Sequence, residues 1–177
     1  MNLKIELPDF EVTATLELYS ERAPRVCQAI YDSLAVPLET RTQHACFDGH
    51  EIYCFLPEMA EPPPIENRTM RPRPGEVMFF HAAKNDFAVL DSDRLAPGQG
   101  PMFELALIYG EVDLRHLWEE GLHGSLVGRV TTNFAAFAEA AGRTLNEGAT
   151  PLRISREIAE APSLRMSDEG QDSEHRA

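Results

Sequence analysis

Cysteine is scarce in this 177-residue chain, and the three present, Cys27, Cys46 and Cys54, share no C-x-x-C spacing. An odd count without that spacing supports neither a disulfide framework nor a zinc knuckle, so the three read as small apolar side chains. Basic residues are also few. Sixteen lysines and arginines stand against 29 aspartates and glutamates, for a formal charge of −13. Such a surface repels phosphate backbones and anionic lipid, so the expected partners include neither nucleic acid nor membrane. No run approaches the ~20 apolar residues that cross a bilayer. The opening Met1-Asn2-Leu3-Lys4-Ile5-Glu6 lacks a signal peptide's apolar segment, which predicts a cytoplasmic protein.

Catalytic and cofactor signatures are missing as well. There is no G-x-S-x-G, the glycines around Pro97-Gly98-Gln99-Gly100-Pro101 follow no phosphate-loop pattern, and the histidines at 44, 50, 81, 116, 123 and 175 form no H-x-H or H-x-x-x-H. His116 and His123 are seven apart, but Gly121 interrupts any shared helix face. The expectation is no cofactor and no metal. Cys46 and His44 share a face by spacing, which makes contact feasible without making a nucleophile.

What is present is a globular composition, 43% hydrophobic and 25% charged, in a chain long enough for one domain. Leu3, Ile5 and Leu7 alternate with polar neighbours, and Phe10, Val12, Ala14, Leu16 and Leu18 do so again after Pro8-Asp9, the period of a half-buried β-hairpin. From Ser20 the period lengthens. Ala23, Val26, Cys27, Ile30 and Leu34 predict an amphipathic helix with Ser20 as N-cap, Pro24 in the first turn and Pro37 beyond the end.

Residues 41 to 56 read as a second hairpin around Asp48-Gly49. A two-residue turn there pairs His44 with Tyr53 and Cys46 with Glu51. Ala45, Phe47, Ile52, Cys54 and Leu56 then form a core face, and Thr42, His44, Cys46, Glu51 and Tyr53 a solvated or functional one. Six prolines between 57 and 74 mark a long stiff loop. Further strands are expected at 76–81, 86–91, 103–109, 126–131 and 152–158. A helical turn is expected near Leu114, Leu117 and Trp118. A second helix over 134–145 would bury Phe134, Phe137, Ala138, Ala141 and Leu145. This order suits a mainly β chain with a closed or nearly closed antiparallel barrel and two capping helices. Residues 1–160 would form the barrel domain, with 161–177 an acidic, mobile tail.

Two segments carry a resemblance. Leu16-Glu17-Leu18-Tyr19-Ser20-Glu21-Arg22-Ala23-Pro24 resembles the cyclophilin strand that leads through Ala-Pro into the first helix, and Gly124-Ser125-Leu126-Val127-Gly128-Arg129-Val130 resembles the strand before the second. The chain also resembles a bacterial family of cyclophilin-like proteins catalogued as a domain of unknown function. The matching segments are Gly49-His50-Glu51-Ile52-Tyr53, Glu66-Asn67-Arg68-Thr69, Arg73-Pro74-Gly75-Glu76-Val77, Glu104, Tyr109-Gly110, and Gly142-Arg143 with Glu147-Gly148-Ala149. The resemblance implies a cyclophilin-like barrel that binds ligands on its outer face. Prolyl isomerases of the kin carry an arginine where this chain has Cys54, followed by a glutamine and paired glycines that are absent here. Without the guanidinium that polarises the twisted amide, isomerase or proline-peptide binding is the lesser alternative.

The candidate ligand-binding residues follow. His44, Glu51 and Tyr53 would supply a base, a carboxylate and a phenol within cross-strand reach, or else an ordinary solvated face. Glu66, Asn67 and Arg68 concentrate hydrogen-bonding groups after a proline-stiffened approach, and serve equally to satisfy loop backbone. Glu104 interrupts the apolar run Phe103 to Tyr109, where it is either paired structurally or forms an acid/base couple with Glu51; Tyr109 closes that strand. Trp118 either lines a pocket or is core. The function read from these residues is binding of a small polar metabolite on the outer barrel face, with an undefined acid/base reaction as an extension. A structural or assembly role as a homo-oligomer is a further alternative.

Overall fold

A computed structural model describes residues 1–45, 49–82 and 102–157. The expected strand at 86–91, the 97–101 loop and the tail lie outside the described residues, as does most of the Asp48-Gly49 turn.

Strands β1 (Asn2–Leu7) and β2 (Val12–Leu18) pair with Leu3 opposite Leu16, Ile5 opposite Ala14 and Leu7 opposite Val12. All six are buried. Period-two alternation places them on one face, as expected. A 3₁₀ turn, Pro8–Phe10, joins the strands and ends on Glu11 in the left-handed region at φ 54°. Phe10 therefore belongs to the turn, which corrects its place in the alternation.

Helix α1 (Pro24–Ser33) buries Val26, Cys27 and Ile30. Then come β3 (Leu38–Arg41), β4 (Gln43–His44), β5 (Glu51–Phe55), the two-residue β6 (Arg68–Thr69), β7 (Glu76–Ala82) and β8 (Met102–Ile108). After a 3₁₀ turn at Leu114–His116 follow β9 (Gly124–Val130), helix α2 (Phe134–Glu147) and β10 (Pro151–Arg156). The stripe of α2 is Phe137, Ala140, Ala141 and Thr144, and Leu145 stands 61% exposed. Leu145 lies one helical step, about 100°, past the buried row. Thr144 is tolerated inside because its hydroxyl donates to the Ala141 carbonyl at 2.7 Å.

The sheet runs β3-β10-β1-β2-β9-β7-β8-β5-β4 with every pair antiparallel, and β6 adds to β9. Its two ends are consecutive in the chain. β3 pairs with β10 and β4 with β5, and only Thr42 separates them. The sheet thus curls into a nearly closed barrel whose seam is one continuous stretch, 38–44. At the seam, the Thr42 amide donates to the Thr150 carbonyl at 2.9 Å, and the Thr42 hydroxyl accepts from the Thr150 amide at 3.0 Å.

This seam corrects the expected hairpin. Gln43 pairs with Tyr53 and His44 with Ile52, one residue away from the pairing a two-residue turn implies. Such a slip reverses side-chain faces. His44 shares the inner face with Ile52, and Thr42 is buried rather than solvated. Ile52, Cys54 and Leu56 are core as expected.

Two apolar cores result. The larger fills the barrel, with Leu105, Leu107, Phe79, Phe103, Phe137 and Ile154 among its members. The smaller lies outside, where Met78, Ala106 and Ile108 meet Val112 and Leu114 of the 109–123 connection.

Candidate functional site on the outer face of β5 and β8

Alternation sends Glu51, Tyr53 and Phe55 of β5 outward, along with Glu104, Ala106 and Ile108 of β8 and Met78 and Phe80 of β7. The register ranks them in rows: Glu51 beside Ile108, then Tyr53 beside Ala106 and Met78, then Phe55 beside Glu104 and Phe80. The first two rows are roofed by the 109–123 connection, which is held by Leu114 N donating to the Met70 carbonyl at 2.9 Å and Leu122 N to the Leu114 carbonyl at 2.9 Å. Glu51 is 5% exposed rather than solvated. Rise along a strand puts Glu51 and Glu104 about 13 Å apart, four residues along β5, so they form no acid/base couple.

The third row lies at the margin of the roof. Phe55 is 42% exposed, and Tyr53, Glu104 and Phe80 are half-buried. The Tyr53 and Phe55 rings meet edge to face with centroids 5.8 Å apart. Phe80 leans the other way, over Gly124, where a Cβ would come within 2.6 Å of its ring. Gly124 is bare because the aromatic ring and the Met78 methyl occupy its side-chain space. Here a carboxylate stands beside partly exposed aromatic rings, a polar group on an apolar floor.

His44 and Tyr109 come together elsewhere, at the end of the barrel on its inner side. Nε2 of His44 is 2.7 Å from the Tyr109 hydroxyl, which donates to the Gly49 carbonyl at 2.8 Å, and Nδ1 is 2.9 Å from the Ala45 carbonyl. His50 joins them, its ring 5.6 Å from Tyr109 and its Nδ1 2.9 Å from the Glu111 carbonyl. Burial raises the Tyr109 phenol above its ordinary pKa. Together these contacts tie the chain at 44–50 to the residue that follows β8.

Glu66, Asn67 and Arg68 form a third location. Oε2 of Glu66 accepts from the backbone amides of Arg25 at 2.9 Å and Val26 at 3.1 Å. These are orphan donors in the first turn of α1, so a carboxylate from a distant loop is the helix cap. Ser20, the expected cap, bonds the Leu18 carbonyl instead, and the N-cap position is Ala23. Asn67 adopts φ 47° and pairs with β9, donating from Nδ2 to the Leu126 carbonyl at 2.7 Å. Arg68 is exposed on β6 opposite Ser125.

The eight expected residues are thus divided among three places. Tyr53 and Glu104 are joined by Phe55 and Phe80, which the reading of the sequence passed over; the i+2 step from Tyr53 would have found Phe55. Trp118 is not core: it is 54% exposed at φ 56°, while Leu117 packs inward beside it. Cys54 faces the barrel interior, where burial pushes its thiol up to about 12. A side chain at that position has no access to the outer face. Among the described residues no three His, Cys, Asp or Glu side chains gather as a metal site, and no helix is long and apolar enough to cross a membrane.

Fold and site together define a nearly closed antiparallel barrel with an aromatic and acidic patch on its outside. The chain belongs to the family described as "Protein of unknown function (DUF3830)", which matches residues 5–156. A solved structure of McbB in complex with tryptophan is similar, with a TM-score of 0.60 and 21% identity over 90% of this chain. The chain spans 45% of McbB's length, and at this identity the likeness shows a shared fold. No curated protein matches the sequence.

Proposed function

We propose that this protein binds a small polar metabolite on the outer face of its barrel, at Tyr53, Phe55 and Glu104, where β5 runs into the proline-rich segment 57–74. The observation that carries the reading is the row Phe55, Glu104 and Phe80, which stands half open at the edge of the roofed outer core. The resemblance of residues 16–24 and 124–130 to cyclophilin strands favours an outer-face site, and the tryptophan of the McbB complex is a ligand of the size this reading calls for. Isomerase chemistry is not favoured, because Cys54 is directed into the core.

The test is thermal denaturation against a broad metabolite panel. A ligand at a hundred times its Kd adds ~2.7 kcal/mol, which for a chain of this length is roughly 5 to 10 °C. The shift is expected to vanish in Glu104→Gln and persist in Glu66→Gln, since Glu66 serves the helix. A panel that moves nothing, or a Glu104→Gln variant that responds like the parent, removes the reading.

A further inference from the structure

We infer that the ligand of this outer face carries a positive charge, as an ammonium or guanidinium group joined to an apolar or aromatic body. The inference rests on the outer-face reading above and names its ligand class. The outward positions of β5 and β8 hold two carboxylates, Glu51 and Glu104, and neither lysine nor arginine; Glu76 of β7 stands opposite Arg129 of β9. Glu104 occupies the centre of its row, with the directly paired Phe55 and Phe80 at Cβ separations of about 5 Å. Tyr53 is the diagonal neighbour, edge to face with Phe55.

Each of these groups discriminates by sign in the same direction. Ring faces are electronegative and attract cations, a carboxylate attracts them more strongly, and both repel an anion. A carboxylate has about four acceptor directions, so a ligand's N–H groups add to whatever contacts Glu104 already makes. The exposed ring of Phe55 offers the apolar surface on which the ligand's body would lie. At long range the formal charge of −13 draws the same class of molecule toward the protein and turns anions away.

The experiment uses the full chain and probes of one shape that differ in charge: benzylammonium, phenylguanidinium, benzyl alcohol and benzoate. Affinity is measured by calorimetry at low and at physiological salt for the parent, Glu104→Gln and Phe55→Leu. Folding of each variant is checked by circular dichroism, and the neutral Glu104→Met replaces Glu104→Gln if the latter does not fold. The two cations are expected to bind about tenfold tighter than the alcohol, and benzoate weakest. Glu104→Gln is expected to lose about tenfold for the cations and Phe55→Leu about threefold, with affinity falling as salt rises. Benzoate or benzyl alcohol binding as tightly as the cations overturns the inference, as do cation affinities untouched by Glu104→Gln or a failure of both cations to bind. If a neutral or anionic molecule from the broad panel binds and Glu104→Gln abolishes it, the site survives and only its charge preference fails. If nothing in either set binds, both fall.

Discussion

Glu66 reaches α1 from 41 residues further along the chain, and two backbone amides of the helix depend on one of its oxygens. Replacing it with alanine should cost ~1 to 2 kcal/mol, the usual loss when a first-turn cap is removed, and Gln, which keeps an acceptor without the charge, should cost less. Urea denaturation measures both, and an unchanged midpoint in Glu66→Ala would show that water replaces the cap. No inspection of Ser20 to Pro24 reveals this partner, because the capping group is not local. Cys54 makes a second residue-scale prediction. Burial, and after it the Glu104 charge, pushes its thiol up to about 12 from an ordinary value near 9. A raised folded pKa contributes stability that is whole below pH 9 and is lost as pH climbs toward 12. Each unit is worth ~1.4 kcal/mol. Cys54→Val should therefore flatten the fall in stability over that range relative to the parent, and equal slopes would mean that the thiol is not sealed in the core.

At the scale of elements, the alternation of β1 and β2 was legible in the sequence because one face of each strand is buried and period two leaves little choice, whereas β7 and β8 are buried on both faces and read as apolar runs. The 38–44 stretch was not. It contributes to two ends of the sheet at once, and a hairpin argument gives it only the partner nearest in sequence. Thr42 shows what holds the seam: its side-chain oxygen satisfies the Thr150 amide, and the Thr150 hydroxyl donates onward to Asp9 at 2.9 Å. Thr42→Val matches in shape but leaves a buried N–H without an acceptor, which costs ~1 to 3 kcal/mol, whereas Thr42→Ser keeps the bond. Denaturation midpoints should rank the parent and Ser variant together, above Val. If Val equals the parent, the hydroxyl is not what joins β3 to β4. The same slip of one residue explains the fate of the site. The expected set of His44, Glu51 and Tyr53 needed a common face, and the seam turns His44 inward to Tyr109 while Glu51 passes beneath the roof. Only Tyr53 and Glu104 remain at the open margin.

For the molecule as a whole, barrel continuity depends on the end of the described chain. β10 lies between β1 and β3, pairing Ile5 with Ile154 on one side and Leu38 with Ile154 on the other, so the first and last strands are neighbours. Contacts so distant in sequence are made only after most of the chain is ordered, which predicts slow folding in the range of β-rich proteins. They also set where the domain can be cut. A chain ending at Glu157 retains every strand described, and its melting temperature should stay within about 2 °C of the parent, a shift that corresponds to under 1 kcal/mol for this size. A chain ending at Gly148 loses β10, which opens the wall beside Leu3 and Ile5 and leaves β3 without its partner, so its circular dichroism should be that of an unfolded polypeptide. Cooperative melting of the shorter chain would mean that the barrel closes without β10. Marked destabilisation of the longer one would mean that residues beyond 157 belong to the domain rather than to a tail.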